Sequence, residues 1–360
     1  MRVFFFVLVL FVHVGVGFRL SRDGKSKVFY ELDTLKRGPP TQNMDEILQA
    51  PSTIFIPTVA GKSIVIKKEM ASPNVQARLF VLDELGTAAV MKDPSQVSTV
   101  VYLGRGGEHD YVALEVVVGS ALALTILSGS YTSAVSLRTV AERLDLLTLP
   151  LGCSEDASSL LALAVAYTTW HSELRWCPRC GSSTTSTRSG SSRKCTSQDC
   201  GKSHYPRLEP AVIMLVLSQC HTHVLLGRKK NWLPGRYSCL AGFVETGETL
   251  EQTVVRETME ESGIEVSKES VYYFASQPWP FPSSLMLGFS ALAASPGLPT
   301  PVVDVEELED ARWFSLESVR AALPLYITDE EFKGGSKMPD LHFPGASSMA
   351  RAMIAAWASE

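Results

Sequence analysis

The stretch from Thr249 to Gly263 contains signals for both the start and the end of a helix. Thr249 and Gln252 have the spacing of a capping box, and Glu251 lies in the first turn, where a negative charge meets the positive end of the helix dipole. Gly263 suits the left-handed residue that commonly follows a helix. Together these signals predict a helix from Leu250 to Ser262.

Three carboxylates of the predicted helix share one face. With about 100° of turn per residue, Glu260 and Glu261 point roughly 60° before and 40° after Glu257. Like charges at this spacing destabilise a helix by roughly a few tenths of a kcal/mol per pair, unless a cation compensates them. Carboxylate oxygens are the ligands that Mg²⁺ or Mn²⁺ prefers. The cluster predicts a divalent metal site, and a solvated acidic face is the alternative for such a string taken alone.

The composition is that of a soluble globular protein with room for two domains. The chain has 360 residues, of which 45% are hydrophobic and 20% are charged. Its net charge of −5 gives no general attraction for polyanions, so a nucleotide has to be bound by local groups.

The start of the chain has the character of a targeting segment. Val3 to Phe18 is an almost unbroken apolar run that ends in small residues and precedes several basic ones. It is too short to span a bilayer comfortably. We predict that residues 1–20 direct the protein to a mitochondrion, a plastid or the secretory route, and an N-terminal core strand is the alternative. We expect no stable membrane association of the mature form, because no other stretch is long and apolar enough.

Three further units follow the predicted targeting segment. Residues 21–150 are predicted to form an α+β domain, from the short β-like runs Thr53–Pro57, Ser63–Lys67 and Ala77–Leu82. Residues 151–205 contain a predicted helix from Ser154 to Trp176, capped by Ser154, that leads into the first of two cysteine pairs. Residues 206–360 are predicted to form an α/β domain, with strands and a last helix at Ala211–Leu217, Val224–Leu226, Val271–Ala275, Leu285–Ala294, Arg312–Phe314 and Ser348–Ala358.

The cysteine pairs have the spacing of a zinc site formed by Cys177, Cys180, Cys195 and Cys200. Four thiolates fit tetrahedral zinc and leave no open position for a substrate, so we expect a structural ion. Two disulfides are the alternative, and His204 is close enough in sequence to replace one cysteine as a ligand. Residues 181–194 are too poor in apolar side chains to form a core, so another part of the chain must hold them.

The glutamate helix and the turn before it resemble a known motif. The stretch matches every fixed position of the Nudix box, G-x5-E-x7-R-E-U-x-E-E-x-G-U, through Gly242, Glu248, Arg256, Glu257, Glu260, Glu261 and Gly263. Only Thr258 departs slightly, standing where an aliphatic residue is usual. The resemblance implies an α/β/α sandwich in which box glutamates bind divalent metal and water attacks a phosphorus of a nucleoside diphosphate derivative. It also implies that Arg256 pairs with Glu248.

A second motif narrows the resemblance to one branch of the Nudix hydrolases. The run Ser276 to Ser284 combines three prolines with two aromatic rings, and we expect a stiff apolar loop there rather than a regular strand. It resembles the S-Q-P-W-P-F-P-x-S signature of the NADH pyrophosphatase (NudC-like) branch. The strings Trp170 to Cys177 and Tyr205 to Arg207 resemble the start and the end of the zinc ribbon in that branch.

The resemblance implies roles for individual residues. It gives Glu248, Arg256, Glu257, Glu260 and Glu261 as the catalytic group. It gives Glu257, Glu261 and Glu307 with the Ala241 carbonyl as ligands of Mg²⁺ or Mn²⁺, and Glu260 as a further ligand or a water-activating group. It places at the dinucleotide the residues Tyr205, Phe243, Gln277, Pro278, Trp279, Pro280, Phe281, Pro282, Ser283, Ser284, Glu307 and Ala350. The family also works as a homodimer.

The function that the resemblance implies is that of an NAD(H) diphosphatase, which releases nicotinamide mononucleotide and AMP. It favours NADH over NAD as substrate, with removal of an NAD cap from RNA as a second activity. One alternative is a Nudix hydrolase of other nucleoside diphosphate derivatives, such as ADP-ribose. Another is a zinc-ribbon protein that binds a dinucleotide without cutting it, against which the intact box argues.

Overall fold

A computed structural model describes residues 35–37, 43–60, 63–68, 77–79, 93–128, 132–136, 157–325, 338–345 and 348–360. The predicted targeting segment, the predicted cap Ser154 and the end of the strand expected at Ala77–Leu82 lie outside the described residues. Within the described part of the chain, no helix has the length and apolar character needed to cross a membrane.

The described residues of the N-terminal unit form a six-stranded sheet. Its elements are α1 (Met44–Gln49), β1 (Thr53–Val59), β2 (Ser63–Lys68), β3 (Ala77–Leu79), β4 (Val97–Gly106), β5 (His109–Val116), α2 (Ala121–Ser128), β6 (Thr132–Ser136) and α3 (Ala157–Glu173). The order across the sheet is β3-β2-β1-β5-β4, with β6 paired to β2, and β1 runs parallel to β5. The three strands predicted from the sequence are present as β1, β2 and β3.

Helices cover both faces of this sheet. Leu160 and Leu161 of α3 pack on one face beside Val101 of β4. On the other face, α1 contributes Ile47 and α2 contributes Ile126. Burying an aliphatic side chain of this kind stabilises the fold by about 1.5–3 kcal/mol. The N-terminal unit therefore has two apolar layers, one on each side of a mixed sheet.

The ribbon that follows α3 is a small sheet of β7 (Thr184–Thr187), β8 (Ser192–Cys195) and β9 (Ser203–His204). The helix predicted to reach Trp176 ends three residues earlier, at Glu173. The carbonyls of Leu174 and Arg175 instead accept hydrogen bonds from Thr184 Oγ1 and N, at 2.6 and 2.9 Å. The ribbon thus takes the last predicted residues of the helix into its own structure.

The turn between β7 and β8 docks on the N-terminal sheet. A Cβ added to Gly190 would stand 2.7 Å from the Cα of Val101 in β4, so the two backbones are in direct contact. His171 of α3 donates from Nε2 to the Gly190 carbonyl at 2.7 Å. The N-terminal unit therefore supplies the support that residues 181–194 were expected to need.

A second six-stranded sheet organises the C-terminal part of the described chain. Its elements are β10 (Glu209–Leu217), β11 (His223–Arg228), β12 (Leu240–Phe243), α4 (Leu250–Ser262), β13 (Tyr272–Trp279), β14 (Ser284–Leu292), β15 (Asp310–Ser315), α5 (Leu316–Ala322) and α6 (Met349–Ser359). The strand order is β13-β14-β10-β11-β15, with β12 paired to β10 and with β10 parallel to β14.

The two faces of this sheet follow from alternation along β10. Ile213 and Leu215 face the layer that contains α6. Val212 and Met214 face the opposite layer, which contains Val254 of α4. The result is the α/β/α sandwich that the Nudix resemblance implied.

The prediction that the proline and aromatic run is not a regular strand was wrong for its first half. Ser276 to Trp279 belong to β13, and Pro278 lies opposite Leu285 of β14. A proline is tolerated there because β13 is at the edge of the sheet, where its missing N–H removes no bond to a second neighbour. Only residues 280–283 form the connecting turn before β14.

Candidate active site

The helix α4 spans Leu250–Ser262, the bounds predicted from its caps. Thr249 and Gln252 form the capping box, and Gly263 has a φ of 67°. Because α4 packs on the sheet, its glutamates differ in exposure: Glu257 and Glu261 are buried, whereas 57% of the Glu260 side chain is exposed. The three glutamates share one face of the helix, as predicted, but that face extends from the protein interior to the solvent.

The carboxylate of Glu257 lies against the backbone of β12. A Cβ at Gly242 would stand 1.9 Å from Glu257 Cδ, so glycine is the residue that leaves room for it. Burial raises the pKa of Glu257, an effect that the neighbouring Arg256 opposes. The box glycine thus fixes how closely the first glutamate approaches the strand.

Arg256 holds the acidic groups in place. Its Nε and Nη2 donate to Oε1 and Oε2 of Glu248 at 2.7 and 2.9 Å, which is the pairing that the resemblance implied. Its Nη1 donates to Glu257 at 2.9 Å and to Glu260 at 2.8 Å. Nη2 also donates to the Phe243 carbonyl at 2.9 Å. The hydrogen bonds from Arg256 lower the pKa of Glu248 to about 2.

Glu261 is the most enclosed acid of the group, with an exposed fraction of 2%. Burial raises its pKa to about 8, and the negative charges of Glu257 and Glu307 act in the same direction. The charge of Lys229 and the backbone N–H of Ala241 oppose the rise. Its Oε2 is buried and has no hydrogen-bond partner. A buried carboxylate oxygen without a donor, beside two further carboxylates, fits coordination of a divalent cation.

A cavity of about 520 Å³ opens beside Glu261. Of the residues that the resemblance placed at metal or substrate, Ala241, Gln277, Trp279 and Ala350 line it. Such a volume is typical of a site for a small molecule, where apolar walls carry a few oriented polar groups. Glu261 and Ala241, two of the expected metal ligands, therefore line the same cavity as part of the expected substrate surface.

Sequence reasoning missed part of the cavity wall. Lys229, Trp232 and Arg236 lie in the connection between β11 and β12 and line the cavity. They bring two positive charges and an aromatic ring. The available signal was a run of basic and aromatic residues directly after a buried strand.

Residues 207–333 match the family model of the NUDIX domain. This chain carries a NUDIX domain. The NUDIX match includes the whole of α4 and the connection with Lys229, but it ends before the residues of α6 that complete the cavity wall.

The sequence similarity to known proteins extends over more residues than the NUDIX domain. The human (Homo sapiens) NAD-capped RNA hydrolase NUDT12 is 45% identical over 175 residues, which are 47% of this chain and 37% of that protein. Nudix hydrolase 19, chloroplastic, from Arabidopsis thaliana is 35% identical over 296 residues, 73% of this chain and 65% of that protein. NAD-capped RNA hydrolase NudC from Stutzerimonas stutzeri is 44% identical over 167 residues, 46% of this chain and 57% of that protein. The chain thus spans 37–65% of the lengths of these relatives, whose names are consistent with the NudC-like branch.

Several of the residues predicted at the metal or the substrate do not line the cavity. Tyr205 and Phe243 are exposed, at 54% and 58%. Glu307 is exposed, and its backbone N–H donates to the Asp304 carbonyl at 3.1 Å. The negative charge of Glu307 contributes to the raised pKa of both Glu257 and Glu261. Phe281 packs away from the cavity, against the N-terminal core.

Gln277 joins the proline and aromatic hairpin to the last helix. Its side chain is 1% exposed, and its Oε1 accepts a hydrogen bond from the backbone N of Met349 at 3.1 Å. Met349 is the first residue of α6, and the cap Ser348 lines the cavity beside it. Gln277 therefore fixes where α6 begins relative to the hairpin. The remaining members of the run are the exposed Pro278 and Pro282, the half-buried Ser283, and the buried Pro280 and Ser284.

The four predicted cysteines come together outside the NUDIX domain. The sulfur atoms of Cys177, Cys180, Cys195 and Cys200 all lie within 4.8 Å of one another. A glycine with positive φ follows each pair, Gly181 at 76° and Gly201 at 52°. This repeated turn aims both pairs at one point, and four converging thiols fit a tetrahedral metal ion such as zinc.

His204 is next to this cluster and not one of its four members. Its Nε2 lies 3.3 Å from Cys177 Sγ, a hydrogen-bond distance. A ring in this position can orient a metal ligand without replacing it.

Proposed function

We propose that this protein is an NAD(H) diphosphatase, which hydrolyses the pyrophosphate of NADH or NAD to nicotinamide mononucleotide and AMP. The observation that carries the proposal is the unpartnered, buried Glu261 oxygen at the wall of a cavity of about 520 Å³. Two of the relatives described above are named NAD-capped RNA hydrolases, which supports removal of NAD caps from RNA as a second activity.

Glu257, Glu260, Glu261 and Glu307, with the Ala241 carbonyl, would hold Mg²⁺ or Mn²⁺. When bound, such an ion neutralises charge on the pyrophosphate and lowers the pKa of water. The protein's own part is to hold these oxygens at fixed positions, which Arg256 does by contacting Glu257 and Glu260. Glu260 is the exposed glutamate of α4, and its carboxylate would accept a proton from the attacking water.

The remaining walls of the cavity suit the rest of a dinucleotide. Lys229 and Arg236 would attract the phosphates, and the rings of Trp232 and Trp279 would pack against the bases. Glu248 and Arg256 would act as positioning residues, because Arg256 contacts Glu257 and Glu260 while Glu248 holds Arg256.

The other proposals concern assembly, zinc and localisation. Tyr205, Leu208 and Phe243 are exposed apolar residues near the start and end of two neighbouring strands, which supports a homodimer that covers them. The cysteine cluster would hold zinc with a structural role. Residues 1–20 would target the protein to an organelle or the secretory route, and a fluorescent fusion of the first forty or so residues reports on that directly.

The test of the proposed function compares wild type with Glu261→Gln. Purified protein is incubated with NADH and Mg²⁺ or Mn²⁺, and AMP release is followed. We expect the substitution to lower the rate by about 10- to 100-fold or more, because even outer partners of metal sites cost that much. Glu265→Gln is the matched control, since Glu265 is an exposed acid outside the cluster. Absence of AMP with wild type, or undiminished AMP with Glu261→Gln, would contradict the proposal.

A substrate panel separates this function from its alternatives. With nicotinamide stacked on an aromatic wall, NADH should be cleaved faster than ADP-ribose at equal concentration. Faster cleavage of ADP-ribose would favour a hydrolase of other nucleoside diphosphate derivatives. Tight binding of NADH without turnover in saturating metal would favour a non-catalytic binding protein.

A further inference from the structure

One aromatic residue of the substrate hairpin is half-buried against the core of the N-terminal unit. Phe281 packs against the buried cluster that includes Val101, Leu103 and Tyr111 of the first sheet and Leu161 of α3. Phe281 belongs to the turn after β13 in the NUDIX domain, and it contacts the apolar layer formed by the first sheet and α3. No other feature described above gives the N-terminal unit a part in the site.

Phe281 also contacts a residue that lines the cavity. The rings of Trp279 and Phe281 are 4.9 Å apart between centroids and meet edge to face at 70°. The backbone N of Phe281 donates to the Trp279 carbonyl at 2.7 Å, which closes a tight turn between the two residues. Trp279 forms part of the cavity wall, whereas Phe281 does not. A continuous contact therefore runs from the N-terminal core through Phe281 to the cavity.

The backbone alone holds this end of the hairpin weakly. Trp279 pairs with Ser284 at the last position of the β13–β14 ladder, and β13 has no strand on its other side. The preceding Pro278 has no N–H to donate. On the return side, the Ser283 carbonyl accepts a hydrogen bond from Glu209 N at 3.0 Å, which holds the end of the turn away from Trp279. Side-chain packing must therefore fix the Trp279 ring.

We propose that Phe281 is a positioning residue through which the N-terminal unit holds Trp279 against the dinucleotide. This inference rests on the proposed function for the identity of the ligand. It reassigns Phe281, expected from the sequence at the substrate, to the contact behind the substrate wall. In this arrangement the N-terminal unit provides a rigid surface that supports one wall of the cavity.

The experiment is a double-mutant cycle on the full chain with Phe281→Ala, Trp279→Ala and both together. KM and kcat for NADH are measured in Mn²⁺, and the Kd of NADH is measured without added Mg²⁺ or Mn²⁺ by its own fluorescence. We expect Phe281→Ala to raise KM and Kd by about three- to tenfold, the worth of an aromatic pair, with kcat within about twofold of wild type. Because Phe281 acts through Trp279, the double variant should bind NADH no more weakly than Trp279→Ala alone.

Two further variants separate positioning from loss of folding. Val112→Ala opens a cavity in the opposite apolar layer of the same N-terminal sheet, remote from Phe281, and should lower thermal stability while leaving KM unchanged. Phe281→Leu keeps an apolar side chain in the N-terminal core and should restore part of the affinity lost in Phe281→Ala.

Three outcomes would overturn the inference. They are an unchanged KM and Kd in Phe281→Ala, fully multiplicative effects in the double variant, or an equal rise of KM in Val112→Ala. If wild type binds NADH without releasing AMP, the proposed function fails, whereas the Kd cycle still decides whether Phe281 positions Trp279.

Discussion

Glu261 shows a conflict between stability and function at a single side chain. It is 2% exposed, and its pKa is raised to about 8 mainly by burial. At neutral pH without a divalent ion, the protein must therefore either keep a proton there or bury an uncompensated charge. A side chain that costs stability in the metal-free protein is typical of a site built for a ligand.

We predict that Glu261→Gln stabilises the metal-free protein at alkaline pH although it lowers the rate of hydrolysis. A carboxyl whose folded pKa lies above its unfolded value contributes stability that is fully present below the unfolded value. That contribution is lost as pH rises through the folded value of about 8. Glutamine has no proton to lose, so the variant should exceed wild type by roughly 1–3 kcal/mol at about pH 9 and match it at about pH 5.

Urea unfolding at both pH values measures this difference, with zinc retained and no Mg²⁺ or Mn²⁺ added. Adding Mn²⁺ should reverse the order at alkaline pH, because the ion binds the folded wild type. Glu265→Gln controls for loss of a surface charge. A variant that is less stable than wild type at about pH 9 without metal would show that the Glu261 charge is compensated by the protein itself.

At the scale of elements, the sequence predicted the features that depend on neighbouring residues, such as the two ends of a helix. The caps gave α4 its observed bounds because Thr249 and Gly263 act within a turn of the helix ends. The same reasoning failed for Ser276 to Trp279, since whether a proline fits a strand depends on whether that strand has one neighbour or two. β13 is an edge strand because it pairs with β14 alone in the strand order of this sheet. The residues of the run do not carry that information.

The ribbon is an element whose predicted metal ion can be removed. We predict that Cys177→Ser or Cys195→Ser lowers bound zinc and thermal stability together. Both cysteines are buried, and the four sulfur atoms of the cluster lie within 4.8 Å of one another, so one hydroxyl in place of a thiolate leaves the ion three strong ligands. Zinc content by atomic emission and the melting temperature are the measurements.

Cys220→Ser is the matched control for the ribbon, because Cys220 is exposed and outside the cluster. It should leave both zinc content and melting temperature unchanged. Full retention of zinc in either ribbon variant would contradict the assignment, and so would equal losses in Cys220→Ser.

At the scale of the whole molecule, the contacts that join the units were beyond the sequence. Gly190 meets Val101, and Phe281 meets the same N-terminal core, across long separations in sequence. The cavity likewise combines the connection after β11, the hairpin and the start of α6. Neither periodicity nor capping reports on such contacts, so the sequence predicted the glutamates and part of the cavity wall but not Lys229, Trp232 and Arg236.

The docking of the ribbon on the N-terminal sheet is tight at one position. Gly190 has a φ of 93°, and an added Cβ would lie 2.7 Å from Val101 Cα and 2.9 Å from the Val100 carbonyl oxygen. Its own carbonyl accepts from His171 Nε2, while His171 Nδ1 accepts from Arg193 at 2.7 Å. Burial lowers the pKa of His171 to about 4, which keeps this ring neutral and the bonding pattern fixed at physiological pH.

We predict that Gly190→Ala separates the units and destabilises the whole protein. Gly190→Ala places an alanine in a left-handed backbone conformation and also makes its Cβ clash with β4. Gly119→Ala has only the first effect, because φ is 80° at Gly119 and no atom lies within 4 Å of an added Cβ. Gly190→Ala should therefore lower the free energy of unfolding by about 1–3 kcal/mol more than Gly119→Ala, measured by guanidinium denaturation. Equal effects would mean that the ribbon moves away from β4 at no cost, and that the N-terminal unit and the ribbon are stable independently of each other.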